Sequence, residues 1–119
     1  MYIKEASELS GATQRAIRLY ESLGLLSVLR SGKYRVYSEK NINLIKIIKE
    51  AQTLGIKLSE IVSLKGGSED FDWTVVSDFL IEKQLDVERQ IRQLEIQRDK
   101  IQQYRQSINR CVKGVDSDL

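Results

Sequence analysis

The chain has 119 residues, 41% of them apolar and 30% charged, with one cysteine, no histidine and a net charge of +2. This is the length of one domain, or of one small domain with a long helical appendage, and it excludes a two-lobed enzyme, wholesale disorder, His-based acid/base chemistry, intramolecular disulfides and any metal site needing several N or S ligands from one chain. No apolar run approaches the ~20 residues that span a bilayer, and Met1-Tyr2-Ile3-Lys4-Glu5 lacks the basic-then-apolar pattern of a signal peptide, so the expectation is a cytoplasmic protein without membrane contact.

With no proline in the chain, punctuation falls to glycine and polar clusters. Ile3 to Leu9 reads as a short helix stopped by Ser10-Gly11. Thr13 occupies an N-cap position for a second helix running to Leu23, closed by Gly24. On it Ala16, Ile17, Tyr20 and Leu23 recur as a buried face, leaving Gln14, Arg15, Arg18 and Ser22 opposite. The apolar stretch Leu25 to Leu29, the turn Ser31-Gly32-Lys33 and the run Tyr34-Arg35-Val36-Tyr37 predict a small hairpin. Ser38 can cap a helix reaching Leu54, whose apolar face carries Leu44, Ile45, Ile48 and Ala51 and which Gly55 closes. A shorter helix follows over roughly Leu58 to Leu64.

Gly66-Gly67-Ser68-Glu69-Asp70 is the one clear break, after which the composition turns acidic and glutamine-rich. Residues 1–66 carry eleven Lys/Arg against six Asp/Glu, net +5, and residues 67–119 carry eight against eleven, net −3. The expected division is therefore a basic domain over 1–66, a linker over 67–71, a long helix over 72–110 and a tail over 111–119. A basic first part suits a polyanion partner, and equally a solvated charged surface.

On the long helix Leu80, Val87, Leu94, Ile101 and Ile108 fall on one heptad line, with Ile91 and Tyr104 partly filling its companion. Gln84, Arg98 and Arg105 make the rest of that companion line polar, so the seam is narrow and should pair antiparallel or with another surface. A helix of this extent is about 58 Å long at 1.5 Å per residue. A domain of this size cannot bury it alone, and self-association through a coiled coil is expected, the alternative being a helix folded back on its own first domain.

A helix, a glycine turn, a second helix with a polar outer face and then a basic hairpin make a winged helix-turn-helix. Arg30, Lys33 and Arg35, with Tyr34 and Tyr37, bring cations and phenolic donors together as phosphate contacts require. Tyr34 and Tyr37 also suit a hairpin core. Three blocks, Ala16-Ile17-Arg18-Leu19-Tyr20-Glu21 with Gly24-Leu25-Leu26, Tyr34-Arg35-Val36-Tyr37-Ser38, and Ala51-Gln52-Thr53-Leu54-Gly55-Ile56, stand in the order found in the MerR family of bacterial transcriptional regulators, which nearly the whole chain resembles. The resemblance implies an all-α dominated fold with a β-hairpin wing, and a homodimer joined by long antiparallel helices. Each second helix would enter the major groove of double-stranded promoter DNA and each wing would grip the flanking backbone. It further implies that the dimer bends and untwists a promoter with an overlong spacer so that RNA polymerase engages both elements.

Carried over by position, Thr13, Gln14, Arg15 and Arg18 belong to the recognition helix, and Arg18 and Tyr20 match a regular pair expected on the DNA backbone. Gln14 and Arg15 suit base-edge readout, since Gln pairs bidentately with adenine and Arg with guanine. Arg35 and Tyr37 match phosphate-contacting positions of the wing, and Arg30 and Lys33 are supporting cations. Tyr20 is also placed for the core by its spacing. Three positions depart from the pattern: Lys33 stands where many members have glycine, Ser27 where proline is frequent, and Lys57 where Ser or Thr caps the fourth helix. An altered wing tip and a helix cap weaker by about 1 kcal/mol are the expected results.

The layout resembles the copper-sensing branch most, with Cys111 where that branch has its first metal ligand and Leu119 where it has the second. One thiolate cannot complete a linear two-sulfur Cu(I) site, and no metal or other cofactor is expected. Cys111 then has three readings: an unused relic, a redox or electrophile sensor activated by Arg110 and Lys113, or a ligand sharing metal with another chain. The function expected is a dimeric, sequence-specific transcription regulator, with no enzymatic activity and an effector that is thiol-redox or absent. The alternative is a coiled-coil interaction module whose winged domain binds a protein.

Overall fold

The computed structural model describes residues 1–112; the expected tail beyond them, with Lys113 and Leu119, lies outside the described residues. Two compact units form, the first over Met1–Trp73 and the second from Thr74 onward. The first contains α1 (Ile3–Ser10), α2 (Gln14–Ser22), β1 (Leu29–Ser31), β2 (Tyr34–Val36), α3 (Glu39–Thr53) and α4 (Leu58–Lys65); α5 (Trp73–Val112) makes the second. The acidic connector stays with the first unit, where Lys40 Nζ meets Asp70 Oδ1 at 3.1 Å and the rings of Phe71 and Trp73 lie 5.6 Å apart.

The turn between α1 and α2 is tied at four points. Gly11 takes φ +77°, a left-handed conformation that closes α1 as its N–H donates to Ser7 O. Ser7 Oγ donates to Ala12 O at 2.6 Å, and the Ala12 N–H donates to Ser10 Oγ at 3.2 Å. Lys49 of α3 donates from Nζ to Gly11 O at 2.5 Å. Thr13 then caps α2, its Oγ1 accepting the Ala16 N–H at 3.0 Å.

Ile17 and Tyr20 of α2 pack into a core with Ala6, Ile45, Ile48, Ile56 and Ile61. Leu23, expected on the same face, is 39% exposed. It is the C-cap residue, where the helical period stops; after Gly24 the Leu25 N–H returns to Tyr20 O, and Leu25 and Leu26 fill the core instead. Strand β1 for the same reason begins only at Leu29.

The hairpin pairs Leu29 with Val36, Arg30 with Arg35 and Ser31 with Tyr34. Its two-residue turn has Gly32 at φ +63° and Lys33 at negative φ, so of the two turn types that suit such hairpins it is II′, with glycine first. Lys33 therefore sits without strain, and the wing tip needs no glycine there.

Helix α3 opens on a capping box in which Ser38 Oγ accepts the Asn41 N–H and Asn41 Oδ1 accepts the Ser38 N–H. At α4 the Lys57 ammonium has no lone pair to offer, but Glu60 Oε1 accepts the Lys57 N–H at 2.9 Å, which recovers half of the box. The 40 residues of α5 reach about 60 Å. None is buried, and Leu80, Val87, Ile91, Leu94, Ile101, Tyr104 and Ile108 are all exposed within the chain. No described helix is long and apolar enough to cross a membrane.

Candidate nucleic-acid interface

The outer face of α2 and the wing together carry the cations. Arg15 and Arg18 are exposed one helical turn apart, Gln14 beside them is half-buried, and Thr13 is exposed with its hydroxyl committed to the cap. On the hairpin Arg30 and Arg35 are directly opposed, so both side chains leave the same face, an arrangement of like charges that destabilises an isolated sheet. Lys33 Nζ lies 5.8 Å from the centre of the Tyr34 ring, and that ring meets Tyr2 at 5.8 Å and 57°.

These groups converge on a cleft of about 160 Å³ lined by Tyr2, Ile3, Arg18, Lys33, Tyr34 and Arg35. Three cations and two phenol rings around one opening can hold an oxyanion by charge-assisted hydrogen bonds. Tyr2 was not foreseen: its signal is not in any local pattern but in the pairing of Tyr37 N–H with Met1 O at 2.7 Å, which lays the first residues against the end of the wing.

Two of the expected contact residues belong instead to the core. Tyr20 is 3% exposed and its hydroxyl donates to Gln52 Oε1 at 2.7 Å, a bond between α2 and α3. Tyr37 is 1% exposed, and its hydroxyl is buried without a hydrogen-bond partner among the described residues. The physical reason is spacing: Tyr20 follows Ile17 by one turn, and Tyr37 is drawn inward by its pairing with Met1 as the chain leaves β2. Burial raises both phenols above their ordinary value. For Tyr37 the Glu21 carboxylate adds to the rise, and Arg35, Arg18 and Arg30 oppose it, which places arginines from α2, β1 and β2 around one hydroxyl.

A phenol whose folded pKa lies above its unfolded one contributes stability that is intact below pH 10 and is lost as pH rises through the folded value. The Tyr37→Phe protein is expected to lose less stability between pH 9 and 11 than the wild type. At pH 7 it should match or exceed the wild type in urea unfolding, because no hydrogen bond is given up.

Glu21 was also missed. Its Oε1 faces Arg35 Nε at 2.6 Å, and both atoms are shielded from solvent. Cys111 is a free, exposed thiol in the last turn of α5.

Residues 1–65 match the model of the MerR HTH family regulatory proteins. The HTH-type transcriptional regulator HmrR of Sinorhizobium medicae (strain WSM419) is 36% identical over 66 residues, which cover 54% of this chain and 45% of that protein. The HTH-type transcriptional regulator CueR of Salmonella typhi is 32% identical over 105 residues, 85% of this chain and 76% of that one. Among solved structures HiNmlR, a MerR family regulator lacking the sensor domain and bound to promoter DNA, shares the fold at a TM-score of 0.57 and 21% identity, over 83% of this chain and 78% of its own. With the family model matching more than half of its residues and CueR aligned along most of both sequences, the chain belongs to the MerR family.

Proposed function

We propose that the protein is a homodimeric, sequence-specific regulator of transcription that binds double-stranded promoter DNA in the cytoplasm. The observation that carries this is the cleft between α2 and the wing, where Arg18, Lys33 and Arg35 stand together on a basic domain. Arg18, Arg30, Lys33 and Arg35 serve as phosphate contacts that set position, with Tyr2 and Tyr34 at the rim. Arg15 and Gln14 read base edges from α2, and Thr13 holds the start of that helix in place. Tyr20 and Tyr37 act from beneath, as core.

Dimerisation is assigned to the 72–110 segment behind a linker at 67–71, through Leu80, Val87, Ile91, Leu94, Ile101, Tyr104 and Ile108. The charge along α5 supports an antiparallel pair. Its first sixteen residues hold Asp78, Glu82, Asp86 and Glu88 against Lys83, and its last sixteen hold Arg98, Lys100, Arg105 and Arg110 against Asp99. Antiparallel pairing sets the acidic half of each helix beside the basic half of the other, whereas parallel pairing opposes like charges. By family mechanism the bound dimer distorts a promoter with an overlong spacer for RNA polymerase, and control acts through the Cys111 thiol or through abundance alone. The protein-interaction alternative leaves the clustered arginines without a use.

The test is enrichment of duplexes from a random-sequence pool, followed by titration of the enriched duplex over a range of salt. Each neutralised phosphate contributes about −0.9 to the slope of log K against log salt. Arg18→Ala is expected to bind about tenfold more weakly to every sequence and to lower that slope by about one phosphate. An Arg18→Ala protein of undiminished affinity would remove the groove assignment.

A further inference from the structure

We infer that Glu21 is the positioning residue for Arg35, ion-paired with its guanidinium at Nε so that both amino groups stay free for one phosphate of the DNA backbone. The inference rests on the DNA-binding reading above and adds to it a carboxylate set inside a surface that attracts anions.

Charge alone gives Glu21 no reason to be there. Arg30 and Arg35 are opposed across the hairpin, with β-carbons about 5 Å apart in such pairs, and their repulsion splays the two side chains unless something holds one of them. Glu21 does so from α2. Its Oε1 lies 2.6 Å from Arg35 Nε, and both atoms are shielded from water, so the attraction is screened less by salt than that of an exposed pair. A guanidinium presents five N–H donors in a rigid fork. Glu21 meets it at Nε as an ion pair without a directed hydrogen bond, and among the described residues Arg35 has no other ion pair or hydrogen bond.

The carboxylate also sets a distance between two elements. Arg18 and Glu21 are one turn apart on α2, so tying Glu21 to β2 fixes the wing's arginine relative to the arginine of the recognition helix, and both line the same cleft. The buried hydroxyl of Tyr37, near enough for its ionisation to feel Glu21 and Arg35, is uncharged and makes no hydrogen bond among the described residues, whereas the Glu21 carboxylate is ion-paired with Arg35. Orientation of Arg35 falls to Glu21.

The sign of one measurement decides. If Glu21 were only a negative charge near the DNA, Glu21→Gln would tighten binding and steepen its salt dependence. As a positioning residue its loss does the reverse. The probe is the duplex enriched by the wild-type protein, followed by fluorescence anisotropy in increasing KCl. Glu21→Gln is expected to bind about tenfold more weakly with a slope lower by about 0.9, the value of one phosphate. Arg35→Ala should do the same, and in the Glu21→Gln background it should cost less than twofold more, since the two act as one unit. Binding by Glu21→Gln as tight as wild type or tighter, or a full tenfold cost of Arg35→Ala in both backgrounds, overturns the inference.

Arg35→Lys tests the same point with Glu21 left in place. An ammonium has three donors on one point but no planar fork, so it cannot pair with the carboxylate on one side while presenting two parallel N–H groups to a phosphate on the other; lysine should lose as much affinity as alanine, and a lysine variant binding like wild type overturns the inference. If the wild-type protein enriches no duplex at all, the DNA-binding reading falls first and takes this inference with it; failure of the variants alone leaves that reading standing.

Discussion

Leu94→Glu is expected to leave the protein monomeric at low micromolar concentration and to reduce its affinity for the enriched duplex by a hundredfold or more. Leu94 lies near the middle of α5, is 63% exposed within the chain, and occupies the central position of the five-residue heptad line. In an antiparallel pair the middle of one helix meets the middle of the other, so the substitution brings two carboxylates together where two leucines would pack. Each leucine lost from a buried site forfeits about 1.5–3 kcal/mol, and the facing charges add repulsion. The effect on DNA follows from bivalency, since joining two binding modules raises avidity by about 10²–10⁴. Sedimentation equilibrium and anisotropy measure the two effects separately. Ile96→Glu is the control, because two residues further along places it about 200° round the helix. A Leu94→Glu protein that stays dimeric would remove the seam.

The second large effect is expected from Ile17→Ala. Ile17 is fully buried on α2, directly beside Arg18 in sequence and facing the other way. Truncating a buried isoleucine to alanine costs about 2–5 kcal/mol, from lost transfer free energy and the cavity left behind. A small domain holds about 5–15 kcal/mol in all, so the loss takes a large share of it. Urea unfolding should show the midpoint falling sharply, and DNA binding should weaken as the folded fraction falls. Leu19→Ala, two residues on at a side chain 46% exposed, is expected to stay within about 0.5 kcal/mol of wild type. Equal losses at the two positions would mean that α2 does not pack as described.

What could be read from the chain, and what could not, divides by the range of the interaction. The end of α1 at Ser10-Gly11, the cap at Thr13 and the start of α3 at Ser38 are each decided within four residues, and each lies where the pattern put it. Leu23 misleads because helical spacing continues in the sequence after the helix has stopped. Tyr20 and Tyr37 are chemically suited both to a phosphate and to a core. Only a partner 32 residues away, Gln52, and the pairing with Met1 at the other end of the domain decide for the core. Glu21 hides for a related reason. Within its own helix it is one more charged residue, and its meaning comes from Arg35 on a different element. The heptad line of α5 was visible because it is periodic and long, and it is exposed within the chain, while the smaller apolar set Ile81, Leu85 and Ile96, also exposed, falls on no heptad line.

The clasp on the turn between α1 and α2 has a kinetic side. A connection between helices is ordinarily the loosest part of a small domain and opens locally at little cost. Here Ser7, Ser10 and Lys49 hold Gly11 and Ala12 to both the helix before and to α3, so α2 cannot lift away unless the neighbouring helices come apart as well. Its outer face is thereby preorganised in the free protein. Under the proposed DNA-binding function, an encounter with a duplex would have no disordered turn to immobilise, and the free energy of its contacts would go into residence time on the DNA instead of into ordering the helix that makes them.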